Sequence, residues 1–200
     1  MPPRTPARQA TLKRHTRETQ IECTLNLDGS GRGKIQTGVP FFDHMLELLA
    51  KHALFDLDLR AQGDLAVDDH HTVEDCGIVL GDALNQALGD RKGIQRYGWC
   101  YLPMDETLSR VAVDLGGRPY LVFQVEHPAR KIKSFDLGLV EEFFKGFVTQ
   151  GRLNLHAAHL YGKDPHHAYE SIFKGVAKAL DQACRRDPRV RGLPSSKGLI

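Results

Sequence analysis

No apolar run in this chain approaches the roughly 20 residues that a membrane-spanning helix needs. Charge of one sign is also missing. Twenty-seven Lys and Arg stand against 25 Asp and Glu, a formal net charge of +2, so there is no chain-wide basic field for nucleic acid. The four cysteines, Cys23, Cys76, Cys100 and Cys184, contain no CxxC pair, which excludes a zinc knuckle or a disulfide framework and fits reduced thiols. Met1-Pro2-Pro3-Arg4-Thr5-Pro6 lacks the apolar stretch of a signal peptide, and a cytoplasmic chain is expected. HExxH and HxxEH are absent, against a zincin-type protease. The glycine patterns of P-loop and dinucleotide sites and the serine-hydrolase elbow are absent too. What the 200 residues do hold is an ordinary globular balance, 41% apolar and 26% charged, with ten histidines, four of them in two adjacent pairs.

The chain repeats itself. His70-His71-Thr72-Val73-Glu74 returns as His166-His167-Ala168-Tyr169-Glu170, 96 residues on, and Ala83-Leu84-Asn85-Gln86-Ala87 matches Ala179-Leu180-Asp181-Gln182-Ala183 at the same offset. Glu18-Thr19 before Leu27 parallels Glu106-Thr107 before Leu115 at an offset of 88, and the change of offset marks a loop insertion. Residues 13–95 and 96–200 are therefore expected to be two halves of one domain, behind an unordered Pro- and Arg-rich stretch, 1–12.

Each half reads in the same coarse order. Alternation predicts strands over Gln20–Leu27, Leu108–Leu115 and Tyr120–Val125. Pro40–Ala53, with Phe41, Met45, Leu48 and Leu49 as its apolar stripe, and Leu139–Val148 read as helices. Short strands follow at Phe55–Arg60 and Leu153–His159, and the HHxxE helices come last, capped by Asp68 and by Asp164-Pro165. The expected class is α+β, a duplicated ββαβα unit forming two small mixed sheets with helices packed on one face of each.

On a helix, neighbouring residues point about 100° apart, so His70 and His71 cannot both readily reach one ion together with Glu74. One imidazole shares an ion with the carboxylate while the other faces a second ion. Two such helices then imply two metals, each drawing on both halves or on neighbouring subunits. One such pair reads equally well as polar surface at a helix start. Two pairs at equivalent positions, each with its own glutamate, read as ligands: His70, His71, Glu74, His166, His167 and Glu170. His44 and its repeat counterpart Glu142 sit on the preceding helices and extend the set. Mn, Fe and Zn all suit such an N/O shell.

Arg17-Glu18-Thr19, Asn26-Leu27-Asp28-Gly29, Pro40-Phe41-Phe42-Asp43-His44-Met45, Asp68–Asp75, Gly117-Arg118-Pro119-Tyr120, Asp164-Pro165-His166-His167 and Pro194-Ser195-Ser196-Lys197-Gly198 resemble the imidazoleglycerol-phosphate dehydratase family in its monofunctional form, from Arg14 to the C-terminus. The resemblance implies two Mn(II) ions per active site, held by His44, His70, His71, Glu74, Glu142, His166, His167 and Glu170 between subunits of a homo-oligomer, 24 in the family. Many relatives carry histidine where this chain has Glu142. The implied activity is dehydration of imidazoleglycerol phosphate to imidazole-acetol phosphate in histidine biosynthesis.

That chemistry explains the site. The C2 proton has no adjacent carbonyl, so the ring itself must help: a metal-stabilised imidazolate expels the C1 hydroxyl, and the diazafulvene-like intermediate makes the C2 proton acidic. By resemblance, Glu18 handles that proton, with His52 and Glu170 as further catalytic groups. His44, His52 and His70 also face substrate, and Arg96, Arg118, Lys174, Ser195, Ser196 and Lys197 bind it, their chemistry suiting a phosphate. Glu106 is expected to be structural. Two other readings fit the residues: a binuclear metallohydrolase of a small phosphorylated substrate, and a non-catalytic metal-binding shell protein.

Overall fold

The computed structural model describes residues 7–200. Ten strands and four helices follow in order: β1 (Gln9–His15), β2 (Thr19–Asn26), β3 (Gly33–Gln36), α1 (Pro40–Ala53), β4 (Asp56–Gly63), α2 (His70–Leu88), β5 (Tyr97–Met104), β6 (Thr107–Asp114), β7 (Tyr120–Gln124), β8 (Lys131–Ile132), β9 (Phe135–Asp136), α3 (Leu139–Gly151), β10 (Asn154–Tyr161) and α4 (Pro165–Cys184). The first sheet runs β1-β2-β4-β3 and the second β5-β6-β10-β7, the same order with corresponding strands. In each, one strand pair is parallel, β3 with β4 and β7 with β10, and the other pairs are antiparallel.

Each unit is thus βββαβα, one strand richer than expected. The strand that escapes the alternation argument opens each sheet at its edge: β1 pairs only with β2, and β5 only with β6. Gln9–Leu12 is consequently ordered strand rather than unordered chain, because its backbone groups are satisfied by β2, with Leu12 opposite Cys23. Residues 1–6 of the stretch expected to be unordered lie outside the described residues. The longer second half carries its extra residues between β7 and α3, where β8 and β9 form a small hairpin.

The helices form a layer between the sheets. Helix α2 packs on β1, β2 and β4, α4 packs on β5, β6 and β10, and the layer closes through α1 against α4 and α2 against α3. The inward stripe of α1 is Phe42, Met45, Leu46, Leu49, Ala50 and Ala53, rotated from the expected one; Phe41 and Leu48 are half-buried. Phe143 sits among Phe42, Phe144 and Phe173 at centroid distances of 5.0–5.7 Å, contacts worth about 0.5–1.5 kcal/mol each beyond burial. Helices α2 and α3 touch backbone to backbone: a Cβ on Gly77 would come within 2.2 Å of Phe143 O, and one on Gly81 within 2.3 Å of Phe147 O. These contacts bring the first turn of α2 beside α3, as the first turn of α4 lies beside α1. Among the described residues, no helix is long and apolar enough to cross a membrane.

Candidate metal centre

Both HHxxE segments open helices, where backbone N–H groups need partners. Asp164 accepts from the N–H of His166 (2.7 Å) and His167 (3.3 Å), and Pro165 occupies the first helical turn. In the first half Asp68 Oδ1 accepts from His70 N–H at 2.8 Å, one residue before the nominal cap. The histidines therefore emerge in the first turn.

On α4 the carboxylate is the centre of a cluster. Glu170, only 7% exposed, has Oε2 at 3.0 Å from His166 Nε2 and 3.5 Å from His44 Nε2 of α1. Its other oxygen meets Lys174 Nζ at 2.5 Å. Burial pushes this carboxyl up, but Lys174, His44 and His166 outweigh it, so it lies below the usual range and stays ionised. His44, His166 and Glu170 offer donor atoms all within 4.8 Å of one another. Two atoms bonded to one ion at about 2.2 Å lie at most about 4.4 Å apart, so a small inward movement suffices. An imidazole–carboxylate donor set of this kind fits a divalent first-row ion.

The α2 counterpart is looser. His70 Nε2 lies 3.5 Å from Glu74 Oε2, and both side chains are more than 40% exposed. The Glu142 carboxylate is bonded to Lys145 at 2.9 Å and does not join a three-donor group with His70 and Glu74. Among the described residues, His44, His166 and Glu170 are the one such group.

The second imidazole of each pair is turned elsewhere. His71 Nδ1 meets Asp64 Oδ2 at 3.0 Å, and its Nε2 ends 3.9 Å from Glu18 Oε1. His167 Nδ1 meets Glu106 Oε2 at 2.9 Å. Hydrogen bonds to these carboxylates raise both imidazoles above the ordinary histidine range, and His167 and backbone N–H groups hold Glu106 well below the usual carboxylate range. His52, at the end of α1, is lowered by burial and by Lys174 and Lys178, which favours its neutral form.

A cavity of about 320 Å³ adjoins the cluster, lined by Phe41, His44, Lys133, Phe135 and His166 among others. The β8–β9 hairpin forms one wall, and sequence reasoning assigned nothing to it; the change of repeat offset was its one trace.

A second cavity, of about 360 Å³, gathers Arg96, Arg118, Ser195, Ser196 and Lys197. Arg96 acts there largely as a brace. Its guanidinium holds Asp114 through Nε at 2.7 Å and Nη2 at 3.1 Å, while Nη1 donates to Pro194 O at 2.8 Å and ties down the C-terminal segment. Lys174, grouped with these residues on sequence grounds, stands instead beside Glu170. The two sites are far apart in one chain. Arg96 N–H donates to Ala183 O near the end of α4 (3.0 Å), whereas Glu170 is 13 residues earlier, about 20 Å along the helix.

Fold and site together define the class: an α+β protein of two like halves, each opening a helix with an imidazole–carboxylate set suited to a divalent ion. The family model for imidazoleglycerol-phosphate dehydratase matches residues 37–180. The imidazoleglycerol-phosphate dehydratase of Geobacter metallireducens is 55% identical over 194 residues, covering 97% of this chain and all of the relative. That of Acinetobacter baylyi is 55% identical over 188 residues, 94% of this chain and 93% of the relative. The solved Staphylococcus aureus dehydratase superposes with a TM-score of 0.81 at 41% identity, covering 90% of this chain and 99% of that one. The chain belongs to the imidazoleglycerol-phosphate dehydratase family, an enzyme family of lyases.

Proposed function

We propose that the protein dehydrates imidazoleglycerol phosphate to imidazole-acetol phosphate, using two Mn(II) ions per active site, in a homo-oligomeric cytoplasmic enzyme. The observation that carries this reading is the paired design of the helix starts. Each presents one imidazole toward its glutamate, His166 to Glu170 and His70 to Glu74, and turns the other away. His44, His166 and Glu170 would hold one ion; His70 and Glu74, with Glu142, supply the weaker counterpart, and His71 and His167 complete centres shared with another copy. Ions so held supply Lewis-acid stabilisation of negative charge on the substrate imidazole.

The chain's own groups do the rest. Glu18, whose carboxylate makes no hydrogen bond among the described residues and lies 3.9 Å from His71 Nε2, would take the C2 proton once the C1 hydroxyl departs. Neutral His52, its protonation disfavoured by burial and by Lys174 and Lys178, would act there as a proton acceptor rather than as the acid for the departing hydroxyl. Arg118, Ser195, Ser196 and Lys197 hold the phosphate, with Arg96 bracing the segment that carries three of them.

The roughly 20 Å between cluster and anion cavity is too long for one small substrate, which supports an active site built between copies. The outward face of the second sheet supports the same reading: Trp99 and Tyr101 are 62% and 60% exposed, with Tyr97 and Tyr120 also exposed. Incubating the Mn-loaded protein with imidazoleglycerol phosphate tests the function. An enolisable ketone is the expected product. Free inorganic phosphate would replace the reading with a metallohydrolase, and absence of turnover with a metal-binding shell protein.

A further inference from the structure

We infer that Asp64 and Glu106 are positioning residues for metal binding: carboxylates outside the ligand set that hold Nδ1 of His71 and His167 and so present Nε2 to the ion. The inference rests on the reading of the histidine pairs as ligands. A carboxylate only accepts, so Nδ1 carries the proton and Nε2 keeps its lone pair once an ion is bound. A ligating histidine commonly has its other nitrogen anchored in this way. The contacts are direct, 3.0 Å for Asp64 and 2.9 Å for Glu106, and in each pair they fall on the second histidine, the one turned from its own glutamate.

The two anchors are not repeat equivalents. Asp64 follows β4, and the residue that likewise follows β10 is Gly162. No side chain fits there. Gly162 has φ +146°, and a Cβ would lie 2.1 Å from Thr107 Oγ1. The second half therefore anchors its histidine from the β5–β6 turn, where Glu106 Oε1 is itself held by the N–H groups of Lys163 (3.1 Å) and Asp164 (2.9 Å). Glu106 is the repeat counterpart of Glu18. With Asp64 serving as anchor in the first half, Glu18 is left free, its backbone carbonyl accepting from Asp64 N–H at 3.1 Å. The division of labour accounts for why one of two repeat-related glutamates is available for proton transfer and the other is not.

The test is Mn(II) affinity by chelator competition, with thermal unfolding of the metal-free protein alongside. Asp64→Ala and Glu106→Ala are expected to weaken binding about 10–100-fold with metal-free Tm little changed. Asp64→Asn and Glu106→Gln, which keep an accepting oxygen, should recover part of the loss. Unchanged affinity in the alanine variants, or a loss that only tracks Tm, would overturn the inference. His71→Ala and His167→Ala, measured in parallel, separate the two claims. If they weaken binding and the carboxylate variants do not, the anchoring role alone fails; if they too bind Mn(II) normally, the ligand reading fails with it.

Discussion

The two sheets have one strand order and opposite outward faces. Across the first run Lys13, Glu22, Arg60 and Gln36 in one row, and Thr11, Thr24, Asp58 and Lys34 in the next. Across the second run Trp99, Ala112, His156 and Val122, flanked by Tyr101 on one side and by Tyr97 and Tyr120 on the other. Inward positions are bound by a common helix layer; outward ones answer to whatever each half must meet. The helix starts diverge in the same manner. Glu170 is buried with two imidazoles and a lysine, whereas Glu74 is open and Glu142 is tied to Lys145.

The largest break of this comparison should come from Glu170→Ala against Glu142→Ala. The first removes the carboxylate shared by His44 and His166 and strands Lys174, so bound Mn(II) and turnover should both collapse. The second should weaken binding far less, as read by elemental analysis of the purified variants. Glu18→Gln against Glu106→Ala comes next. Loss of a positioned acid–base group should cost about 10²–10⁴-fold in kcat at Glu18 with metal content retained, while the Glu106 change should act on metal content. Equal effects would erase the proposed division.

Smaller, and specific to the second half, Lys197→Ala should raise KM with metal content unchanged. Unaltered kinetics would remove Lys197 from the anion site. On the sheet faces, Trp99→Glu should lower the assembled mass on size exclusion, and Lys13→Glu should not. The smallest effect concerns Asp56, which accepts from Ser30 N–H (2.9 Å), Arg32 N–H (3.1 Å) and the Arg32 guanidinium; its counterpart Asn154 instead donates to Arg118 O at 2.6 Å. Those bonds hold the Asp56 carboxyl well below the usual carboxylate range, Arg32 contributing most. The stability it adds is present above the unfolded carboxylate pKa of about 4 and is lost as pH falls toward the depressed value. Asp56→Asn should therefore flatten the fall of Tm on acidification below about pH 4, a change that Asn154→Ala should not produce.

Much of this was legible from the chain. Pro40–Ala53 is a helix with the expected bounds, the strands expected after each first helix at Phe55–Arg60 and Leu153–His159 are found at Asp56–Gly63 and Asn154–Tyr161, and Asp164 caps α4. Edge strands β1 and β5 were not legible: each has one neighbour, and although burial alternates along both, residue type does not, with Arg14 at an inward position of β1 and Trp99 and Tyr101 at outward positions of β5. The anion cavity gathers five of the residues expected on it, yet Arg96 is spent largely on Asp114 and Pro194 O, and Lys174 on Glu170.

The sequence by itself determined that two histidine pairs open two helices and that each pair must diverge by about 100°, because helical geometry acts over three or four residues. Which imidazole turns inward, and what holds the other, only the tertiary structure decided. His167 is anchored from 61 residues away by a turn of the second sheet, and His71 from 7 residues away at the end of β4. Those carboxylates arrive by sheet register and by the room left at Gly162, distances that no local periodicity encodes.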